Sequence, residues 1–390
     1  MIALTLQPAQ PDAPLYPNVL PSLPASAVGA TSVYRLDPDF KRPRLQEVNL
    51  GVEREIVRNL TVSASFLFTK GDRLPVNFDT NLPAPQFARR YQLPNGEIIE
   101  VPFSAGIART AAGVNQNLNL ARPNPNFGAI NVVRTSGETW YRALFVEVKR
   151  RFAQGFQLNL AYTLAQAENL SGAADGGGSG AETPFNGSNV ADQFKLDFNR
   201  APAPTDQRHR FVLNGIWNLP GSKLENRAAR LLLGGFRLSG IFTAERGRPF
   251  AAVVSVPNIP FTLDGAQYNG FGGLRGQGGG NDRNLAPNIE RNSNYGVANY
   301  RLDLRVARDI RVTEKFTLEL IGESFNLFNR SNFNGFRPTR YEAQATTVTT
   351  PLSQPIVLVE RADFGVENNN GSQPDGTNAR RFQLAVRFRF

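Results

Sequence analysis

Apolar and polar residues alternate along nine segments of the chain. In residues 381–390, every even position is apolar and every odd position is polar or small. A period of two is typical of a β-strand with one apolar and one polar face. The pattern predicts strands over 47–56, 60–69, 142–152, 156–165, 210–219, 235–245, 300–310, 315–327 and 381–390. Within 315–327 the alternation changes phase near Gly322, which predicts a β-bulge.

The last strand has the length of a membrane-crossing strand. Its ten residues match the ~9–11 that a tilted strand needs to cross a bilayer. A soluble edge strand with so regular an aromatic face would promote aggregation, so we interpret this face as lipid-facing. The residues expected to carry membrane assembly are Phe382, Leu384, Val386, Phe388 and Phe390.

Short and long connections alternate between the predicted strands. Tight turns lie at 57–59, 153–155 and 312–314 with a moderate link at 220–234, and the long segments are 70–140, 166–208, 246–299 and 328–379. Bacterial outer-membrane barrels have short periplasmic turns and long extracellular loops. The sequence therefore predicts an all-β fold, a partial antiparallel transmembrane β-barrel of about nine strands. Residues 1–46 are expected to be an extracellular loop remnant and 47–390 the C-terminal portion of the barrel.

The beginning of the chain differs from a secretory signal. Residues 1–6 lack basic side chains, and prolines at 8, 11, 14, 17 and 21 interrupt any apolar run. Nine is also an odd number, whereas single-chain bacterial barrels have an even number of strands. We therefore expect the chain to be the later part of a longer polypeptide.

Composition is compatible with a barrel. The mean hydropathy is −0.31, and no segment approaches the ~18 apolar residues of a membrane helix. Strands that alternate between lipid and lumen have no such segment. The 43 basic and 33 acidic residues give a net charge of +10. Like charges never form a run of five, so we interpret the arginines as lumen and interface residues and expect no nucleic-acid partner.

Few residues suggest catalysis. The only histidine, His209, lies between two arginines, and we interpret it as a hydrogen-bonded rim residue. Asp303 and Glu319 could form an acid–base pair, but neighbouring basic residues favour a charge ladder across the polar face. Cysteine is absent, which excludes thiolate ligands and nucleophiles. Neither the loop carboxylates Asp175, Asp264 and Asp282 nor the glycine-rich segments 171–180 and 271–280 match a calcium or phosphate motif. We expect no enzyme activity, cofactor or metal.

Two further groups of residues are assigned by their positions on the strands. Aromatic residues near strand ends are typical of the girdle at the bilayer interface, with sugar stacking as an alternative for Trp140. The girdle residues are Trp140, Tyr141, Phe152 and Trp217. The charges predicted to face the lumen are Arg301, Asp303, Arg305, Glu319 and Arg387.

Several strings occur in the order typical of one receptor family. They are Asp37–Lys41 with Glu47–Glu55, Tyr141–Leu144 with Lys149–Phe152, Ala161–Leu164, Asp206–Gly215, Phe325–Asn329 with Asn332–Phe333, Phe364–Gly365 and the terminal strand. Together they resemble the C-terminal barrel of Oar-like TonB-dependent receptors. The resemblance implies a location in the bacterial outer membrane and a barrel of about 22 strands. It also implies a plug and a carboxypeptidase-regulatory-like domain, neither of which the present residues match.

The resemblance also implies partners. They are outer-membrane lipid, the barrel-assembly machinery, an unknown bulky nutrient, and a TonB complex reached only through N-terminal regions absent from these residues. Two alternatives stay open: a surface or adhesion protein anchored by the barrel, and a soluble β-rich enzyme or carbohydrate-binding module. We predict that the loops 70–140 and 246–299 contact the ligand first. We also predict that Leu318 and Val386 face lipid while Glu319 and Arg387 face inward.

Overall fold

The structure is a computed structural model. It describes residues 33–82, 84–85, 87–103, 107–109, 122–124, 127, 129–170, 188–189, 193–223, 225–255, 259–263, 266–270, 285–344, 351, 353–370 and 379–390. Residues 1–32, the two glycine-rich segments, Asp175, Asp264 and Asp282 lie outside the described residues. The predicted division at residue 46 stays a prediction.

Nine long strands of the described chain form one antiparallel sheet, which we call the wall. They are β1 (Arg44–Val57), β2 (Leu60–Asp79), β3 (Ile130–Ala153), β4 (Phe156–Asn169), β5 (His209–Asn218), β6 (Phe236–Glu245), β7 (Asn299–Arg311), β8 (Thr317–Phe325) and β9 (Arg381–Arg389). Each strand pairs with the next one in the chain. Among the described residues β1 and β9 do not pair, so the wall is open. Every predicted strand is present, and the predicted all-β fold is confirmed.

Short turns join the strands at one end of the wall. Gln154 and Gly155 connect β3 to β4 with φ values of 55° and 80°. Two consecutive residues with positive φ are typical of a type I′ turn, which matches the twist of a hairpin. The link between β5 and β6 contains a 3₁₀ turn, Pro220–Lys223, and the helix α1, Arg227–Leu233. Asn226 caps this helix by accepting from the amides of Ala228 and Ala229.

The bulge predicted near Gly322 is wrong. β8 pairs with β7 and with β9 without a register shift from Thr317 to Phe325. The change of phase instead places Ile321 and Phe325 on the polar side, where Ile321 is only 7% exposed. A residue on that side need not be polar when its neighbours bury it. The alternation therefore gave the wrong backbone geometry at this point.

β2 and β3 extend well beyond their predicted ends. They contain 20 and 24 residues, and their pairing continues to Asp79 and Asn131. Register shifts occur between Gly71 and Val76, in the extended part. The alternation is weak there because strand residues beyond the bilayer have no lipid to face.

Fifteen shorter strands lie outside the wall in the described chain, fourteen of them in the long loops and one, Val33–Leu36, before β1. Three join the wall: Val33–Leu36, Ser188–Asn189 and Ala201–Pro202. Seven form smaller sheets: Ile107–Arg109, Pro249–Phe250, Ile259–Leu263, Ala266–Gly270, Asn294–Tyr295, Phe333–Phe336 and Glu367–Asn370. A further 3₁₀ turn spans Leu196–Asn199. Within the described residues, no helix has both the length and the apolar character needed to cross a bilayer.

Three of the long loops share one five-stranded sheet, which we call the cap. Its strands, in order, are Val253–Ser255, Thr339–Ala343, Ile356–Glu360, Phe87–Gln92 and Ile98–Phe103. The cap has its own apolar core, which contains Tyr91, Val101, Val254 and Leu358, each 3% exposed or less. Ile356 pairs with Tyr91, so the loop after β2 is hydrogen-bonded to the loop after β8. The loops therefore fold as one body.

Candidate functional site

The register assigns every wall residue to one of two faces. We call the face that carries Glu319 the polar face and the opposite one the apolar face. Outside the register shifts near the ends of β1, β2 and β3, the polar face consists of the odd-numbered residues of all wall strands except β5, and of the even-numbered residues of β5. All five charges predicted to face the lumen lie on the polar face.

Glu319 is the centre of a charged cluster on the polar face. Its carboxylate accepts hydrogen bonds from Arg237 and Arg389, each at 2.6 Å, and from Arg387 at 3.4 Å. Arg305 lies 3.6 Å away as a fourth cation. The Glu319 side chain is fully buried. A buried carboxylate is tolerated when cations and hydrogen bonds replace its water, and here the strands β6, β7 and β9 supply them.

Asp303, the other acidic candidate, belongs to a separate group of contacts. Arg301 donates to Asp303 at 2.8 Å, and Asp303 also accepts from the amide of Asn326. Glu319 lies opposite Asp309, six residues along β7 from Asp303. Six residues of strand span ~20 Å. The structure therefore does not bring Asp303 and Glu319 together as an acid–base pair.

The polar face has open depressions at two levels. The one at the short-turn end has a volume of about 470 Å³ and is lined by the Glu319 cluster together with Asn218 and Phe152. The one nearer the middle of the wall has a volume of about 400 Å³, and its lining includes Asn214, Ser239 and Asp303. Apolar side chains such as Ile216 contribute to both linings, and charged groups are concentrated in the depression at the short-turn end.

Sequence reasoning missed two members of the Glu319 cluster. Arg237 and Arg389 both donate to Glu319, yet neither was among the predicted lumen charges. Their odd positions on β6 and β9 were the available signal, because these positions share the polar face with Arg305 and Arg387. The contact itself was not predictable, since β6 and β8 are not adjacent.

The apolar face forms a continuous band. Leu50 is 67% exposed and Leu384 87% exposed, which is unusual for large apolar side chains in water. The band on the odd strands consists of Val48, Leu50 and Val52; Leu144, Val146 and Val148; Phe211, Leu213 and Gly215; Leu302, Leu304 and Val306; and Phe382, Leu384 and Val386. Leu318 lies on the same face, opposite Phe388.

The lower boundary of the band follows a diagonal across the wall. Arg54 lies at the level of Val148, two strands away, and Arg150 is two residues beyond Val148. The pairing leads from Arg150 across four strands to Leu304, and Arg308 is four residues beyond Leu304. A displacement of one residue per strand corresponds to a strand tilt of ~35°, which is within the range of outer-membrane barrels.

The band has a height suited to a membrane. Its lower boundary is Arg54, Arg150, Trp217, Arg308 and Phe388, and its upper boundary is Gln46, Arg142, His209, Tyr300 and Arg380. The two boundaries are eight residues apart in each of the five segments, and Arg380 lies directly before the start of β9. At ~3.3 Å per residue and a tilt of ~35° the band is ~22 Å high. Outer-membrane barrels have an apolar band of ~25 Å.

The four residues assigned to the aromatic girdle occupy different places. Trp217 lies on the lower boundary of the band. Trp140 is on the apolar face just beyond the upper boundary, with Arg200 over its ring at 4.1 Å. Tyr141 points to the polar face, and Phe152 lines the depression beside the Glu319 cluster. His209, on the upper boundary, is hydrogen-bonded to the Tyr162 hydroxyl at 2.8 Å.

The cap carries its own charged cluster. Arg361 and Arg337 both donate to Asp363, and they hold the pKa of this carboxyl at about 2. The same residues line a depression of about 330 Å³ with Ser255 and Thr339. In the cap core, burial raises the pKa of Tyr91 to about 12. In the part of the chain that the structure describes, no group of three or more metal-binding side chains is placed to hold an ion.

A tilted antiparallel wall with an apolar band on one face and paired charges on the other defines an outer-membrane β-barrel protein. The chain belongs to the outer membrane beta barrel domain family, whose family model matches residues 3–383. The predicted location in the outer membrane is thereby confirmed. No curated protein matches the chain significantly.

Solved structures of outer-membrane transporters are similar to the chain. The transporter YddB from Escherichia coli is 10% identical with a TM-score of 0.41, and the match covers 93% of this chain and 34% of YddB. The ferric-catecholate import receptor Fiu from E. coli K12 is 9% identical with a TM-score of 0.38, and the match covers 90% of this chain and 28% of Fiu. P. aeruginosa FpvA bound to heterologous pyoverdines is 8% identical with a TM-score of 0.40, and the match covers 90% of this chain and 27% of FpvA. The chain spans about a third or less of these proteins.

Proposed function

We propose that the chain forms part of the barrel of a TonB-dependent receptor that imports a bulky nutrient. The observation that carries this proposal is the polar face, where the Glu319 cluster and other hydrogen-bonding groups line part of two open depressions. A barrel that serves only as an anchor needs no such lining, because its interior can be filled by packed side chains. The sequence strings that resemble Oar-like receptors support the same function.

The cap is the proposed first contact for the nutrient. It contains parts of both loops predicted to touch the ligand, through Phe87–Gln92 and Val253–Ser255. Loops held by a rigid scaffold are frequent binding sites, and the apolar core of the cap supplies that rigidity. Energy from the TonB complex would reach the barrel through N-terminal regions of the complete receptor. The proposal includes no catalytic step, cofactor or nucleic acid.

A comparison of nutrient uptake tests this function while the ligand is still unidentified. Spent medium is compared by untargeted mass spectrometry for the parent strain, a strain lacking the complete gene, and a strain lacking TonB. We expect at least one large solute to be depleted by the parent strain and retained by both deletion strains. Complementation with the complete gene should restore its depletion. Identical spent media from the three strains would reject import.

The alternative is a surface or adhesion protein that uses the barrel as an anchor. The cap is the observation that favours this alternative, because a preformed extracellular sheet is also suited to contact with another cell. In that case deletion of the gene would change cell attachment and leave the composition of the medium unchanged. Deletion of TonB would leave cell attachment unchanged. The soluble carbohydrate-binding module considered above is wrong, because the family is one of the outer membrane.

A further inference from the structure

Three arginines occupy the lower boundary of the apolar band. Arg54, Arg150 and Arg308 all lie on the apolar face, on strands β1, β3 and β7. The register places them on one diagonal, so at a strand tilt of ~35° they lie at one depth. Arg54 and Arg150 are two strands apart, and Arg150 and Arg308 four. Arginines on this face would be unfavourable inside hydrocarbon, so their alignment at its edge places them where lipid headgroups begin.

Aromatic rings lie against two of these arginines. Arg150 lies over Phe156 at 5.6 Å, and Arg308 lies over Phe236 at 5.0 Å. Arg150 also donates to the side chain of Gln154 at 3.5 Å. A guanidinium has five N–H donors, so an arginine that makes such contacts can still donate to an anion.

We propose that Arg54, Arg150 and Arg308 bind the phosphate groups of glycerophospholipid headgroups in the leaflet at the short-turn end of the wall. Paired guanidinium N–H groups match two oxygens of a phosphodiester, which makes arginine a preferred phosphate ligand. The neighbouring Trp217 and Phe388 place aromatic rings at the same depth, where such rings favour the interface. The proposal depends on the fold alone and holds whether the protein is a receptor or an adhesin.

Native mass spectrometry of the complete protein, purified from bilayers of phosphatidylglycerol, tests this row of arginines. We expect the double variant Arg150→Gln/Arg308→Gln to weaken phospholipid retention roughly tenfold or more. Arg210→Gln is the matched control, because Arg210 lies on the polar face beside Glu245 and should leave retention unchanged. If the double variant fails to fold, Arg54→Gln on the edge strand β1 should still lower retention measurably.

Two further experiments show whether the bound phosphate belongs to a lipid headgroup or is a free anion. Bilayers of an uncharged galactolipid should give no retained lipid, and inorganic phosphate should not displace phosphatidylglycerol. Equal retention by the wild type and the arginine variants would overturn the proposal, as would equal retention of the galactolipid. Complete displacement by inorganic phosphate would also overturn it, because the row would then be a site for free anions.

Discussion

Arg237 and Glu319 lie 2.6 Å apart although their strands, β6 and β8, are separated by β7. Strands two positions apart are ~10 Å apart, and the length of the arginine side chain spans this gap. Glu319 also accepts from Arg387 and Arg389 on the adjacent strand β9. One carboxylate therefore connects the last four strands of the wall, so it should be important for the stability of the C-terminal edge.

Glu319→Gln should destabilise the folded barrel by about 1–3 kcal/mol. Breaking a fully buried ion pair costs ~3–5 kcal/mol, and the smaller value reflects arginine partners that are 35% to 58% exposed. Equilibrium unfolding in guanidinium, followed by tryptophan fluorescence, measures the change. Glu323→Gln is the control, because Glu323 is paired with Arg305 at only 3.6 Å and is 23% exposed. An equal loss in both variants would show that Glu319 has no special role.

Val386→Arg should impair membrane assembly, whereas Arg387→Gln should be tolerated. Val386 lies in the apolar band, two residues from its lower boundary at Phe388. An arginine on the lipid face costs ~2–4 kcal/mol at the midplane and less toward the interface, so the cost at Val386 lies below the midplane value. Arg387 lies on the polar face, and without it Glu319 still accepts from Arg237 and Arg389. Heat-modifiable migration on gels reports the folded fraction of the complete protein. Equal assembly of the two variants, or the reverse order, would show that the faces are misassigned.

The Asp363 cluster should make the cap sensitive to acid. The pKa of Asp363 is about 2 in the folded cap, below the ordinary value of 3.8. A depressed pKa contributes stability that is complete above the ordinary value and is lost as the pH falls toward 2. Hydrogen exchange at the amides of Arg337 and Gly365, corrected for intrinsic rates, should show protection falling over this range.

Asp363→Asn supplies the control for this acid sensitivity. The variant should lose protection at neutral pH, because Arg337 and Arg361 then face a neutral amide. It should also show no further change between about pH 4 and about pH 2, since the titrating group is absent. A pH dependence that persists in the variant would assign it to another group.

Leu358→Ala should loosen more than its own loop. Leu358 is 1% exposed in the cap core, and such truncations cost ~2–5 kcal/mol. Because the core is shared, we expect faster protease cleavage within 87–103 as well as within 356–360. Val357→Ala is the matched control, since Val357 is 36% exposed on the same strand. Cleavage confined to 356–360 would mean that the loops fold independently.

The sequence was sufficient to predict the strands of the wall, because two simple requirements act on every strand. Lipid on one side and water on the other impose a period of two, and this located all nine strands, including the last one, residues 381–389. The same signal weakens outside the bilayer, so the extensions of β2 and β3 were not predicted. Ile321 also shows that an apolar residue on the polar side can imitate a bulge.

The alternation of apolar and polar residues did not predict the cap or the full Glu319 cluster. The cap strands are three to six residues long, and two of their four pairings join different loops, so local periodicity does not reveal the sheet. Arg237 reaches Glu319 across an intervening strand, which depends on side-chain length and on the shape of the wall. Tyr141 and Phe152 were grouped with the girdle from their nearness to strand ends, which does not determine the face.

The pairing of Tyr91 with Ile356 also has a consequence for the order of folding. The two residues are 265 positions apart in the chain, and six wall strands, β3 to β8, are formed by the residues between them. Contacts at such separation form slowly, because the ends of a long loop must first be brought together. The wall supplies this closure by positioning both loops. The parallel pairing of these segments should therefore form late, and hydrogen-exchange protection at the amide of Ile356, which faces Phe87–Gln92, would mark completion of assembly.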